Sequence, residues 1–199
     1  KNKIRQNLLT RRLKLSQKKV EDLSKKITDK IKLLPEFKKA KTVLLYHSIK
    51  NEVDPTPLFN NKKIFAFPLT HAASHRMTLH QITDLNELEL DEFNIKSPTK
   101  KHPLIARKNL DLIITPGLTF DNQGHRIGYG KGYFDRLFKN LSTNCTKIAL
   151  AYDFQIIENV PAEKHDKKVD IIVTEKRIIR TAATHRHSIS KIRRNNQNK

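Results

Sequence analysis

The stretch LDLIITPGLTFDNQGHRIGYGKGYFDRLFKNL, residues 110–141, contains three successive patterns that predict a local fold. It opens with an apolar, β-branched run over residues 110–117, which is typical of a buried strand. It closes with apolar side chains at helical spacing over residues 133–141. Between them lie four of the five glycines of the chain, at positions 124, 128, 130 and 132. The stretch therefore predicts a strand, a glycine-rich loop and a helix, in that order.

This order of elements is one that proteins use to bind phosphate. Glycines allow backbone N–H groups to converge on an anion, and the following helix adds the positive end of its dipole. Arg126 and Lys131 supply positive side chains in the same loop. The glycine spacing matches neither the P-loop nor the dinucleotide-binding fingerprint, so a plain glycine-rich turn between strand and helix is the alternative.

Asp135 lies in the first turn of the predicted helix, four residues after Lys131. A carboxylate beside phosphate can hold Mg²⁺, which prefers one or two carboxylates together with phosphate oxygens. The alternative is that Asp135 only complements the dipole of the helix. The local pattern leaves both interpretations open.

The flanking sequence predicts an α/β fold, a three-layer sandwich with a largely parallel, mixed sheet and a helical N-terminus. Helical spacing extends from Ile4 to Leu34, where Ser16 is the expected N-cap of a second helix and Pro35 is expected to end it. Asp54 and Pro55 indicate a short helix through Phe59. Apolar runs predict further strands at residues 42–49, 63–69, 76–82, 147–153 and 169–175.

Length and composition predict one domain over residues 1–180, followed by a basic, disordered tail at 181–199. The single cysteine, Cys145, excludes a disulfide within the chain and is expected to be a buried small apolar residue. No apolar run approaches the length of a membrane span. We expect a cytoplasmic monomer that has no membrane partner.

The formal net charge of +20 raises a nucleic-acid-binding function as an alternative. The excess is unevenly distributed: residues 1–41 carry 15 basic and 4 acidic side chains, and residues 176–199 carry 8 basic and no acidic ones. The segment between them is almost neutral. Because the basic tail has no interleaved aromatic residues and the sequence shows no helix-turn-helix or zinc pattern, we do not expect nucleic acid as the main partner.

The run DLIITPGLTFDNQGHRIGYGKGYFDR, residues 111–136, closely resembles the signature of the 5-formyltetrahydrofolate cyclo-ligase family. That signature is a strand, then Pro-Gly-x-x-Phe-Asp, then Gly-x-Arg-Leu-Gly-x-Gly-x-Gly-Tyr-Tyr-Asp-Arg. Phe134 replaces its second tyrosine. Other matching segments follow in the family's order: KNKIR at 1–5, NEVDPTPL at 51–58, FNIKSP at 93–98, AYDFQ at 151–155 and VPAEKHDKKVDIIVTE at 160–175.

The resemblance implies an α/β enzyme that uses ATP and Mg²⁺ to convert 5-formyltetrahydrofolate into 5,10-methenyltetrahydrofolate, ADP and phosphate. A relative that binds folate without catalysis is the alternative. The implied nucleotide contacts are Lys1, Asn2, Lys3, Ile4, Arg5, Arg126, Ile127, Gly128, Tyr129, Gly130, Lys131, Gly132, Tyr133 and Phe134.

The implied folate contacts are His47 and Glu52, with Arg5 and the loop from Tyr129 to Tyr133 shared between the two ligands. Mg²⁺ is expected on Asp135 and Asp166. The residues expected to act in catalysis are Arg126, Lys131, Glu52 and Tyr133.

Overall fold

The computed structural model describes residues 1–139, 141–163 and 166–181. Except for Thr181, the predicted tail lies outside these ranges. Thr181 itself is buried, and its hydroxyl donates to the carbonyl oxygen of Val169 over 2.8 Å. Thr181 is therefore packed against the rest of the described chain.

Within the described ranges, seven strands form the main sheet and two short ladders lie apart from it. In chain order the strands are β1 (Thr42–Leu44), β2 (Ile64–His71), β3 (Arg76–Ile82), β4 (Glu89–Leu90), β5 (Lys96–Ser97), β6 (Leu112–Thr115), β7 (Thr119–Phe120), β8 (Arg126–Ile127), β9 (Thr146–Leu150), β10 (Ile171–Val173) and β11 (Ile178–Arg180). The main sheet has the order β11-β10-β9-β6-β1-β2-β3. Its five central strands are parallel, and β3 and β11 are antiparallel edges.

The helices are α1 (Asn2–Leu13), α2 (Gln17–Leu33), α3 (Pro35–Lys39) and α4 (Tyr133–Phe138). The predicted cap of α2 is confirmed, because Ser16 Oγ accepts a hydrogen bond from the backbone of Lys19 over 3.3 Å. The helix ends just before Pro35, as predicted. Pro35 also begins α3, since the first helical position does not need a backbone N–H.

Two apolar clusters pack on opposite faces of the sheet. Val43 and Leu45 belong to the cluster that includes Ile27 of α2, whereas Leu44 belongs to the cluster that includes Leu137 of α4. Because neighbouring residues of a strand point to opposite faces, this alternation places helices on both sides of β1. The predicted α/β fold with a largely parallel, mixed sheet is confirmed.

Several predicted elements are shorter than their apolar runs. The run at residues 42–49 forms a strand only to Leu44, after which the Leu45 N–H still bonds to the Ala66 carbonyl and the chain then leaves the sheet. The helix expected over residues 133–141 ends at Phe138. The short helix after Asp54 is one 3₁₀ turn, Thr56–Leu58. These apolar residues remain in or near the core, so burial alone did not mark the ends of the elements.

Two expectations drawn from the composition concern Cys145 and membrane-spanning helices. Cys145 is buried as predicted, and burial raises the pKa of its thiol to about 12. Among the described residues, no helix is both long enough and apolar enough to cross a membrane.

Candidate active site

A cleft of about 580 Å³ lies beyond the carboxyl ends of β1 and β6, where ligands commonly bind in parallel sheets. Segments from α1, from the chain after β1 and from the glycine-rich loop all contribute to its walls. The predicted site residues that line it are Lys1, Arg5, His47, Glu52, residues 126–135 and Asp166. The predicted contacts Asn2, Lys3 and Ile4 are not among its lining residues. Distant parts of the sequence therefore meet here.

The glycine-rich loop forms one wall of the cleft in a conformation that favours glycine. Gly130 has φ +103° and Gly132 has φ +64°, values that L side chains rarely adopt. Within the part of the chain that the structure describes, no protein group accepts a hydrogen bond from the backbone N–H groups of residues 128–132. Arg5 of α1 steadies the loop by donating from Nε to the Gly128 carbonyl over 2.9 Å. The loop thus offers donors to an anionic ligand.

Arg126 and Lys131 differ in how they are held. The Arg126 side chain is 5% exposed and donates from Nη2 to Asp135 over 2.7 Å, while its Nε has no hydrogen-bond partner. Lys131 is exposed, and its ammonium lies 4.8 Å from the centre of the Phe93 ring. Arg126 is therefore a fixed charge and Lys131 a more accessible one.

Lys1 lies at the same end of the cleft and has two acidic neighbours. Its ammonium is 2.8 Å from Glu163 and 3.0 Å from Asp166. The hydrogen bond to Glu163, followed by the effects of Asp166, raises the pKa of Lys1 above its ordinary value despite some opposing desolvation. An anion that binds here must compete with these carboxylates for Lys1.

The two predicted Mg²⁺ ligands, Asp135 and Asp166, both line the cleft beside the cations that would bind phosphate. Among the described residues, no group of three or more acidic, histidine or cysteine side chains could hold a metal ion by itself. Two carboxylates without a complete protein cage suit Mg²⁺, because that ion usually completes its coordination with water and phosphate oxygens. The donor set therefore fits Mg²⁺ bound together with a nucleotide.

Glu52 lies at the other end of the cleft and is 4% exposed. Its Oε2 accepts from the backbone of Ile49 over 3.1 Å, and its Oε1 is buried without a hydrogen-bond partner. Desolvation raises the pKa of Glu52 to about 7, against the opposing effect of the Arg12 guanidinium. Nearby, burial lowers the pKa of the half-buried His47 imidazole.

The raised pKa of Glu52 predicts a pH dependence of stability. Between about pH 4.5 and 7 the folded protein holds a proton that the unfolded chain has lost, so the free energy of unfolding falls as pH rises through this window. The contribution is on the order of 3 kcal/mol. In denaturant titrations, the free energy of unfolding of the wild type should therefore fall by that amount relative to Glu52→Gln as the pH rises from about 4.5 to 7. Parallel curves would contradict the prediction.

Several buried polar atoms without a hydrogen-bond partner face this cleft. Among the described residues four side chains that line it carry such an atom: Glu52 Oε1, Thr70 Oγ1, Arg126 Nε and Tyr133 Oη. Leaving a buried polar group without a hydrogen bond costs about 1–3 kcal/mol. Their concentration in one place leaves hydrogen-bonding capacity that a polar ligand or water can use.

The sequence-based prediction missed three groups of residues that lie in the wall of the cleft or directly behind it. Arg12 looked like any other basic residue of the N-terminal region, yet it is buried beside Glu52. Glu163 was not singled out, although it contacts Lys1. The β4–β5 hairpin brings Asp91, Phe93 and Lys96 to the cleft, where the Phe93 ring lies beside Lys131 of the glycine-rich loop. The segment FNIKSP was the only signal for this hairpin.

Comparison with known proteins identifies the family of this chain. The sequence profile of the 5-formyltetrahydrofolate cyclo-ligase family matches residues 1–175. A probable 5-formyltetrahydrofolate cyclo-ligase of Schizosaccharomyces pombe is 31% identical over 199 residues, covering 90% of this chain and 97% of that protein. A 5-formyltetrahydrofolate cyclo-ligase of Mycoplasma genitalium is 32% identical, with 87% and 96% covered.

A solved structure supports the same assignment. The NMR structure of Aquifex aeolicus 5,10-methenyltetrahydrofolate synthetase superposes with a TM-score of 0.81 at 36% identity, covering 91% of this chain and 92% of that one. The fold, the order of the motifs and the sequence relatives agree. The chain therefore belongs to the 5-formyltetrahydrofolate cyclo-ligase family.

Proposed function

We propose that this enzyme uses ATP and Mg²⁺ to cyclise 5-formyltetrahydrofolate to 5,10-methenyltetrahydrofolate, releasing ADP and phosphate. The observation that carries the proposal is the single cleft that joins a cationic glycine-rich loop to the buried carboxyl group of Glu52. A triphosphate needs the first feature, and the N–H groups of a pterin suit the second. The family's name supports 5-formyltetrahydrofolate as one substrate, and ATP as the other is part of the proposal.

The proposed reaction has two stages on the substrate. The formyl oxygen attacks the γ-phosphorus of ATP, the bond from that phosphorus to the bridging oxygen breaks, and ADP leaves. N10 then attacks the activated formyl carbon and loses its proton. Phosphate departs with the former formyl oxygen, and the methenyl bridge is complete.

The protein contributes mainly placement and charge in this scheme. Lys1, Arg5, Arg126 and Lys131 bind the triphosphate, with the free backbone N–H groups of the glycine-rich loop beside them. Asp135 and Asp166 are the residues that hold Mg²⁺, which supplies positive charge to the phosphates.

At the other end, Glu52 and His47 bind and orient the folate, and Tyr133 lines its pocket. The buried hydroxyl of Tyr133 has no hydrogen-bond partner and so is available to a ligand. Because the glycine-rich loop contacts both regions, Tyr129 and Tyr133 lie where the nucleotide and the folate meet.

A turnover assay with purified protein tests the proposal directly. Methenyltetrahydrofolate absorbs in the near ultraviolet where the substrate does not, so product formation can be followed continuously. We expect turnover that requires both ATP and Mg²⁺. If 5-formyltetrahydrofolate binds but no product forms under any condition, the protein is a non-catalytic folate-binding relative.

Replacing Lys131 or Asp135 tests the role of the nucleotide end. Lys131→Ala and Asp135→Ala should each lower ATP-dependent turnover by at least ~10-fold, the scale of losing a preorganised charge contact. Lys26→Ala and Asp22→Ala are matched controls, since both positions are exposed on α2, outside the cleft. Near-normal activity of Lys131→Ala would remove the loop lysine from the mechanism.

A further inference from the structure

Arg12 carries a fully buried charge, and the mechanism proposed above gives this residue no role. The side chain is 1% exposed, although it lies near the C-terminal end of α1, whose other basic residues are mostly exposed. Removing a guanidinium from water is costly unless its surroundings compensate for the lost hydration. Its contacts therefore indicate what this buried charge is for.

The Arg12 guanidinium connects three segments that form the folate end of the cleft. Nε donates to the Lys50 carbonyl over 2.9 Å, and Nη1 donates to the Gly117 carbonyl over 3.3 Å. Nη1 also lies 3.8 Å from Glu52 Oε1, and Nη2 donates to the hydroxyl of Tyr129. One side chain thus contacts the glycine-rich loop, the end of the β6 segment and the residue expected to bind the pterin.

The backbone around Glu52 also depends on this end of α1. Lys50 and Asn51 both have positive φ, at +50° and +58°, which is unfavourable for residues other than glycine. The Asn51 side-chain amide holds this turn by donating to the carbonyls of Arg12 and Leu15, over 3.3 and 3.0 Å. The turn and the guanidinium together fix the position of Glu52.

We infer that Arg12 is a positioning residue that holds the Glu52 carboxylate and the Tyr129 hydroxyl in place for the folate substrate. The inference rests on the proposed function and deepens it. Arg12 is not a catalytic residue, because it acts through these two side chains. Arg5, seven residues earlier, bonds to the Gly128 carbonyl, so α1 holds two adjacent residues of the glycine-rich loop.

Arg12 is also the main source of positive charge near Glu52. The groups that interact with the Glu52 carboxyl are Arg12, Lys50, Tyr46, Tyr129 and Tyr152. An ionised carboxylate can accept two ligand N–H donors, which a protonated carboxyl cannot do equally well. Loss of Arg12 should therefore move the ionisation of Glu52 to higher pH and weaken folate binding near neutrality.

The test compares Arg12→Met, Arg12→Lys and Arg11→Met. Arg11→Met is the matched control, because Arg11 is exposed, stacks on Phe154 at 4.5 Å and does not line the cleft. In Arg12→Met we expect the KM for 5-formyltetrahydrofolate to rise about 10-fold and the KM for ATP to change less than about 2-fold. The acid limb of the folate kcat/KM profile should move up by about one pH unit. Arg12→Lys should recover part of both effects.

Equal changes in both KM values, with an unmoved acid limb, would show that Arg12 has only a structural role and would overturn the inference. If Arg12→Met does not fold, Arg12→Lys and Tyr129→Phe decide the question through the same ratio of KM values. An unchanged ratio in both would also overturn it. A wild-type enzyme without turnover would refute the proposed function, whereas active wild type with an unaltered Arg12→Met would refute the role of Arg12 alone.

Discussion

Arg126→Ala is expected to lower kcat/KM for ATP-dependent cyclisation by about 100-fold or more. The guanidinium is fixed in the wall of the cleft by its hydrogen bond to Asp135, and its unpartnered Nε is available to the triphosphate. A preorganised charge that needs no rearrangement is worth most where water is excluded. The substitution also leaves Asp135 without its cation, so Mg²⁺ dependence should change as well.

Arg126→Lys separates charge from geometry in this experiment. It keeps the positive charge but loses the planar set of donors, so we expect only partial recovery of activity. Circular dichroism spectra that match the wild type would show that the losses are functional. Activity of Arg126→Ala within about 3-fold of the wild type would exclude Arg126 from transition-state stabilisation.

Gly124→Ala is expected to lower the free energy of unfolding by about 3 kcal/mol or more. Gly124 has φ +89°, and a Cβ atom there would lie 2.4 Å from the carbonyl oxygen of Val169. The two residues are also joined by a 2.9 Å bond from the Val169 N–H to the Gly124 carbonyl. The glycine therefore lets the loop approach the backbone that leads into β10, and neither backbone can easily move away.

Gly128→Ala is the matched control for this effect. Gly128 lies in the same glycine-rich stretch but does not have a positive φ, and an added Cβ would be 3.5 Å from Arg126 Nη1, an ordinary contact distance. We expect its free energy of unfolding to stay within about 1 kcal/mol of the wild type. Guanidinium chloride titrations of both variants measure the difference. Equal destabilisation would show that the close approach at Gly124 is not what stabilises this junction.

The sequence predicted the sheet well because parallel strands covered on both faces read as continuous apolar runs. It predicted the ends of those strands less well. Leu45 still bonds to the sheet, but the chain then leaves it and lines the cleft at Tyr46, His47, Ile49 and Glu52. Both partner strands continue past the residues that pair with Leu44, β2 to His71 and β6 to Thr115, so the end of β1 depends on the tertiary path of its own chain, which local sequence does not specify.

The candidate site was likewise predicted only in part from the sequence. Residues within one short stretch, such as Arg126 and Asp135, could be predicted together because the glycine motif links them. Arg12 could not be distinguished from 14 other basic residues in the first 41, since no local pattern marks a buried arginine. Its contacts with Glu52 and Tyr129 exist only because α1 packs beside them in the tertiary structure.

The sequence by itself determined the fold class, the family and the glycine-rich loop, because each depends on patterns that are close together along the chain or on motifs in a fixed order. The tertiary structure alone decided which charges are paired, which are buried and which polar atoms have no partner. Those properties arise from groups that are as far apart in sequence as Lys1 and Asp166, and burial then sets the strength of their interaction.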